Sequence, residues 1–263
     1  MTEQKQNFIM IPDQAPAPRP TPRSGALIPM LRSLARSFIT SLVPRAATWL
    51  EPAVTDTTAP TRPRLVFAFD ATASREPAWA TARRVTDALF KARPGELDIA
   101  LAVHGGSRLH TFTAFTTNAN TLRDRAAGIV CEAGHTRLLA ILLESLKRPG
   151  VRVITYVGDV FEESLSRGRR LADTLGQHGI RLIVLHDTAD RDARRDAEIF
   201  LDLARRTGGC VIPFDATAPE RLRELLAAVA VYTVGGITAL QERSGDLPGA
   251  LVLLEHLGAT GPH

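Results

Sequence analysis

Along residues 64–236 the chain switches between two hydrophobic periods. RLVFAFD (64–70), VRVITYVGD (151–159) and IRLIVLHD (180–187) are apolar almost without interruption, as strands covered on both faces must be. LDIALAVHG (97–105), RLHTFTAF (108–115) and GCVIPFD (209–215) add three further strand-like runs. Segments of helical spacing alternate with most of them: 75–92, 119–128, 136–148, 162–178, 192–206 and 218–232. The runs at 97–105 and 108–115 are joined too tightly for a helical crossover, which predicts an antiparallel hairpin. The pattern therefore predicts an α/β fold: a doubly wound, mainly parallel sheet with one antiparallel edge strand and helices on both faces. In such a sheet ligands bind beyond the carboxyl ends of the strands.

The flanks read differently. IPDQAPAPRPTPRSG (11–25) is dense in proline and small residues, so 1–26 is expected to be a disordered arm. Leu27, Met30, Leu31, Leu34, Phe38 and Leu42 then recur at helical spacing. This amphipathic helix and the linker EPAVTDTTAPTRP fill 27–63. Arg32, Arg36 and Arg45 charge its polar face only weakly, so docking on protein is expected ahead of membrane-surface contact by 27–43. The main domain is placed at 64–236. A C-terminal helical extension at 237–263 has two apolar stripes, split at Gly245 to Pro248.

Composition narrows the function classes. With 263 residues, 44% of them hydrophobic and 5% aromatic, the chain can bury one substantial, mainly aliphatic core. A net charge of +4 is too slight to argue for a nucleic-acid partner. The arginine clusters at 167–170 and 191–195 lie among acids and read as solvated helix faces. Cys131 and Cys210 form no metal-ligand spacing or disulfide framework. The polar start MTEQKQNFIM does not look like a secretory signal, and no apolar segment is expected to approach the ~20 residues of a bilayer span. A cytoplasmic location is the resulting expectation.

Three loops carry the candidate chemistry. In LVFAFDATAS, Asp70, Thr72 and Ser74 alternate with the small Ala71 and Ala73. Alone, this stretch is also a good helix N-cap, since all three side chains reach free N–H groups. CEAGHTRLLAILLE sets Gly134 and Thr136 before an apolar helix, and VITYVGDVFEES ends a strand on Gly158 and Asp159. Gathered at one sheet edge, Asp70, Thr72, Ser74, Thr136 and Asp159 supply two carboxylates and three hydroxyls. An oxygen-only set suits a hard divalent cation, Mg²⁺ or Mn²⁺, bound at ~2.0–2.1 Å with water completing the octahedron. His104, His110, His135, His178 and His186 show no spacing of a metal box or catalytic triad.

These motifs resemble those of von Willebrand factor A (VWA) domains. Asp70-Ala71-Thr72-Ala73-Ser74 is similar to the DxSxS signature, with Thr for the first Ser; Gly134-His135-Thr136 resembles the distal threonine loop; Gly158-Asp159 resembles the aspartate motif after the fourth strand. ARRTGGCVIPFDA looks like the family's approach to its last strand, and YVGDVFEE with LRELLAAVAVYTVGG resembles a bacterial subgroup. The resemblance covers about 64–236. It implies a Rossmann-like VWA fold with a metal-ion-dependent adhesion site (MIDAS). Thr72 and Ser74 would bind the ion directly, and Asp70, Asp159 and Thr136 directly or through water. It further implies a protein–protein interaction module or scaffold, not an enzyme, whose partner completes the coordination with an Asp or Glu. Many relatives have Asp-Gly at the fourth-strand motif, whereas here Gly precedes Asp159 and Val160 follows, so this loop is expected to differ.

Two readings compete. One is a VWA scaffold whose metal site is non-functional. The other is a haloacid-dehalogenase-like phosphohydrolase using Asp70, Thr136, Lys147 and Asp159 with Glu162 or Glu163. That chemistry needs a second carboxylate two residues after the nucleophile, and position 72 is Thr, no acid at neutral pH.

Overall fold

The computed structural model of the protein describes residues 60–188, 193–215 and 218–258. The expectations of an arm at 1–26 and a helix at 27–43 lie outside these residues. The elements are β1 (Arg64–Asp70), α1 (Glu76–Val85), α2 (Asp87–Lys91), β2 (Asp98–Gly105), β3 (Arg108–Phe112), α3 (Ala119–Ala127) and α4 (Leu138–Leu146). They continue with β4 (Val151–Gly158), α5 (Leu165–Gln177), β5 (Arg181–Asp187), α6 (Ala197–Arg206), β6 (Cys210–Phe214), α7 (Pro219–Glu242) and α8 (Pro248–His256). One six-stranded sheet has the order β3-β2-β1-β4-β5-β6, and only β2–β3 is antiparallel. The chain is thus an α/β protein with a mainly parallel sheet and one antiparallel edge strand.

Two apolar layers explain why the central strands are apolar throughout. In β1, Leu65, Phe67 and Phe69 join the core under α1, α2, α3, α7 and α8, where Trp79, Leu89, Leu225 and Leu253 also lie. Val66 and Ala68 face the opposite way, into a core completed from α4, α5 and α6 by Leu138, Ile141, Leu142, Leu175 and Phe200. Period-2 geometry sends successive side chains to opposite faces, so both sets have to be apolar.

Three elements depart from the sequence pattern. The helical run 75–92 opens with a 3₁₀ turn, Ala73–Arg75, and breaks at Thr86, whose Oγ1 donates to the Arg83 carbonyl oxygen (3.2 Å). The strand-like run 108–115 leaves the ladder after Phe112. The helical run 218–232 continues as α7 to Glu242, across a non-helical Gly236 (φ 67°, ψ −153°). By length and composition α7 is apolar enough to cross a membrane, and half of its most apolar window is buried inside the protein. This corrects the expectation that no apolar segment approaches a bilayer span: Arg221, Arg223 and Glu224 lie ahead of the uncharged stretch 225–240, not within it.

Candidate functional site

Sheet growth reverses between β1 and β4. β2 and β3 lie on one side of that junction, β5 and β6 on the other. The crevice beyond the carboxyl ends of such strands is where α/β sheets bind ligands. β1 ends on Asp70, β4 runs through Gly158 into Asp159, and β5 ends on Asp187. The register pairs Phe69 with Val157 and Gly158 with His186, which brings the three aspartates out along one edge.

Asp70 is fully buried. Its Oδ1 accepts a hydrogen bond from the Thr72 N–H (2.9 Å), whereas Oδ2 has no partner. Burial pushes the carboxyl up from 3.8 to about 6, against the pull of the Thr72 N–H and with a further push from Asp159. The turn then curls: Thr72 is extended, and the 3₁₀ turn closes with Arg75 N–H donating to the Thr72 carbonyl oxygen (2.9 Å). This curl brings Thr72 Oγ1 within 3.5 Å of Ser74 Oγ. Beneath it, His104 Nδ1 lies 3.7 Å from Asp70 Oδ1, and His104 Nε2 is 3.0 Å from the Tyr156 hydroxyl. Burial holds the imidazole down at about 3 and the phenol well above its usual range, so both are neutral near pH 7.

The other two loops are clamped together. A Cβ at Gly134 would fall 2.5 Å from the Ser107 nitrogen, so only glycine lets this loop lie against the β2–β3 turn. Thr136 Oγ1 accepts from the Glu162 N–H (3.0 Å), and Thr136 N–H donates to Glu162 Oε2 (2.9 Å). Glu162 Oε1 pairs with His135 Nδ1 (3.0 Å), and Glu163 Oε2 accepts from Leu139 N–H (2.8 Å) at the start of α4. Burial opposes the charge on Glu162, yet His135 and the Thr136 N–H hold its carboxyl below the usual value.

Asp159 Oδ1 accepts from the Val160 N–H (2.9 Å), and its Oδ2 is 3.5 Å from Arg75 Nη1. The same nitrogen donates to Asp187 Oδ2 at 2.5 Å. Arg75 is 5% exposed, and its Nε and Nη2 have no partner. Burial pulls against its charge, but Asp159 and Asp187 outweigh that pull and hold the guanidinium above its ordinary value.

No protein-family model matches the chain, and no curated protein matches it. Among solved structures, a von Willebrand factor type A protein from Catenulispora acidiphila is similar with a TM-score of 0.53 at 12% identity, over 66% of this chain and 43% of that one. The pilus adhesin SpaC from Lactobacillus rhamnosus GG, in its open conformation, matches with a TM-score of 0.50 at 11% identity, over 67% and 30%. The fold is a VWA fold. This chain spans less than half the length of either protein, and at such identities the likeness concerns the fold alone.

On this VWA framework Asp70, Thr72 and Ser74 share one turn. Asp159 borders them through Arg75, and Thr136 is engaged with Glu162. Gly158 precedes the aspartate because a Cβ there would lie 2.5 Å from the Tyr156 hydroxyl. Val160 needs no left-handed backbone, since Ser107 is the one non-glycine with positive φ among the described residues. Lys147 caps the far end of α4 from Thr136 and pairs with Glu144 (2.6 Å), so the phosphohydrolase set is not assembled. Sequence reasoning missed Arg75, Asp187 and the clamping role of Glu162. Its available signal was the shared ending of three strand runs, FAFD, YVGD and VLHD.

The donor set can be tested against a divalent ion. Among the described residues no three His, Cys, Asp or Glu side chains group closely enough to hold one, so hydroxyls are required. Bonds of ~2.0–2.1 Å place neighbouring ligands of an octahedron about 2.9 Å apart. The Thr72–Ser74 separation of 3.5 Å is somewhat wider than that, and Asp70, two residues earlier on the same turn, offers a buried anionic oxygen, Oδ2, with no partner of its own. The residues on the β1 turn fit the ion.

Proposed function

We propose that this protein is a VWA-type interaction module that holds Mg²⁺ or Mn²⁺ at the β1–β4 edge and receives an acidic side chain from a protein partner. The observation that carries this reading is the unpartnered, buried Asp70 Oδ2 on the turn that also carries the Thr72 and Ser74 hydroxyls. A buried carboxylate oxygen without a donor is costly and calls for a cation or a proton. Asp70, Thr72 and Ser74 would hold the ion, with Asp159 bordering it and Thr136 positioning the neighbouring loops. A bound dication supplies Lewis acidity that attracts a further carboxylate. Among the described residues no nucleophile with a neighbouring base accompanies the set, which favours binding over catalysis. The acidic character of the partner draws support from a groove between α4 and α5 in which Arg137, Arg167 and Arg170 outnumber Glu163 around Leu139, Leu143 and Leu171.

Calorimetric titration with Mg²⁺ and Mn²⁺ tests the ion site. Asp70→Asn keeps an acceptor for the Thr72 N–H while removing the charge, and ion binding is expected to fall at least about tenfold, the scale of one lost charge-assisted contact. Equal affinities in the wild type and in this variant would reject the assigned ligands.

A further inference from the structure

We propose that Arg75 is a resident cation of the aspartate cluster, competing with the divalent ion for Asp159 and so setting the ion affinity. This inference rests on the ion site proposed above and adds its regulation by a side chain of the same turn.

Asp70, Asp159 and Asp187 emerge on adjacent strand ends, and Arg75 is the buried cation among them. One nitrogen, Nη1, serves both Asp187 and Asp159, while Nε and Nη2 are buried without partners. A structural arginine usually satisfies its fork with two parallel hydrogen bonds to a carboxylate. Here a single nitrogen carries both contacts, and the desolvated, unpaired donors favour an outward rotamer whenever the field of the cluster weakens.

A dication on Asp70, Thr72 and Ser74 weakens that field and repels the guanidinium. The two cations also share one carboxylate. Asp159 Oδ2 at 3.5 Å from Nη1 is the oxygen that the ion shell would recruit. Ion binding is therefore linked to release of Arg75 from Asp159, and linkage is reciprocal: whatever holds Arg75 in place lowers ion affinity. The Arg75–Asp187 contact is the latch on the ion-free side.

Arg75→Met keeps the length and packing of the stem and removes the charge. In calorimetry it is expected to bind Mg²⁺ and Mn²⁺ on the order of tenfold tighter than the wild type, within the usual range of coupling between linked sites. Its ion-free melting temperature is expected to fall and to recover on adding ion by more than the wild type gains. A second measurement needs no charge-removing variant: the Arg75 side-chain N–H signals in nitrogen-resolved NMR, assigned with Arg75→Lys, are expected to shift as Mg²⁺ saturates the wild type. Equal ion affinity in the wild type and Arg75→Met, or unmoved Arg75 signals while calorimetry registers binding, would overturn the competition and leave the ion site standing. Absence of binding in both folded proteins would overturn the two proposals together.

Discussion

Asp70 is placed where its chemistry is most altered by its surroundings: at the end of a buried strand, one oxygen satisfied and the other not. The two cysteines show the opposite outcome of burial. Desolvation, with Glu76 adding to it at Cys131, pushes both thiols up to about 12. Thiolate is the reactive form, so at pH 8 only about one thiol in ten thousand would be nucleophilic. Iodoacetamide is therefore expected to alkylate Cys131 and Cys210 far more slowly in the folded protein than in urea, as mass spectrometry can follow; equal rates would refute this. At this scale the sequence shows residue types better than it shows partnerships. The Asp-x-Thr-x-Ser spacing is visible because five consecutive positions form one turn. The pairing of Arg75 with Asp187 spans 112 positions and depends on β1, β4 and β5 being neighbours, which no local pattern encodes.

At the scale of elements, the site edge depends on loops that satisfy one another. Thr136 is 1% exposed, and its hydroxyl is the acceptor for the Glu162 N–H. Thr136→Val removes that acceptor while conserving shape, and losing this part-buried hydrogen bond costs about 0.5–1.5 kcal/mol. The loss is expected in thermal melts with EDTA present, whereas Thr136→Ser should melt near the wild type. A Val variant unchanged in EDTA would mean that Thr136 serves the ion and not the clamp. The strands and most helices were legible because a parallel sheet covered on both faces demands long apolar runs, and VITYV and LIVL have no other use. The break of the first helical run at Thr86 was not legible: a threonine inside a periodic pattern gives no warning that its hydroxyl will bond back to Arg83.

At the scale of the whole molecule, the carboxyl end of the described chain belongs to the core that positions β1. α7 lies against α1 and α2 and carries α8. Ala250, Leu253 and Leu254 of α8 are buried in the same layer as Phe67, Phe69 and Trp79. α8 approaches α7 closely: a Cβ at Gly249 would fall 2.3 Å from the Glu224 carbonyl oxygen. The sequence shows the second apolar stripe but not this docking, because nothing in ALVLLEHL says which face of which helix it will cover. If α8 is integral, cutting a buried side chain there must weaken the entire fold. Leu253 is fully buried, and a buried Leu→Ala change costs about 2–5 kcal/mol, or roughly 5–15 °C in melting temperature for a domain of this size. Leu251 lies on the same helix but is 53% exposed, so Leu251→Ala is the matched control and should change stability little. A Leu253→Ala melt within a degree or two of Leu251→Ala would show that α8 is an appendage that the domain does not need. A large, single-transition loss confined to Leu253→Ala would show that the layer behind β1, and with it the Asp70 turn, is held together from the C-terminal helix.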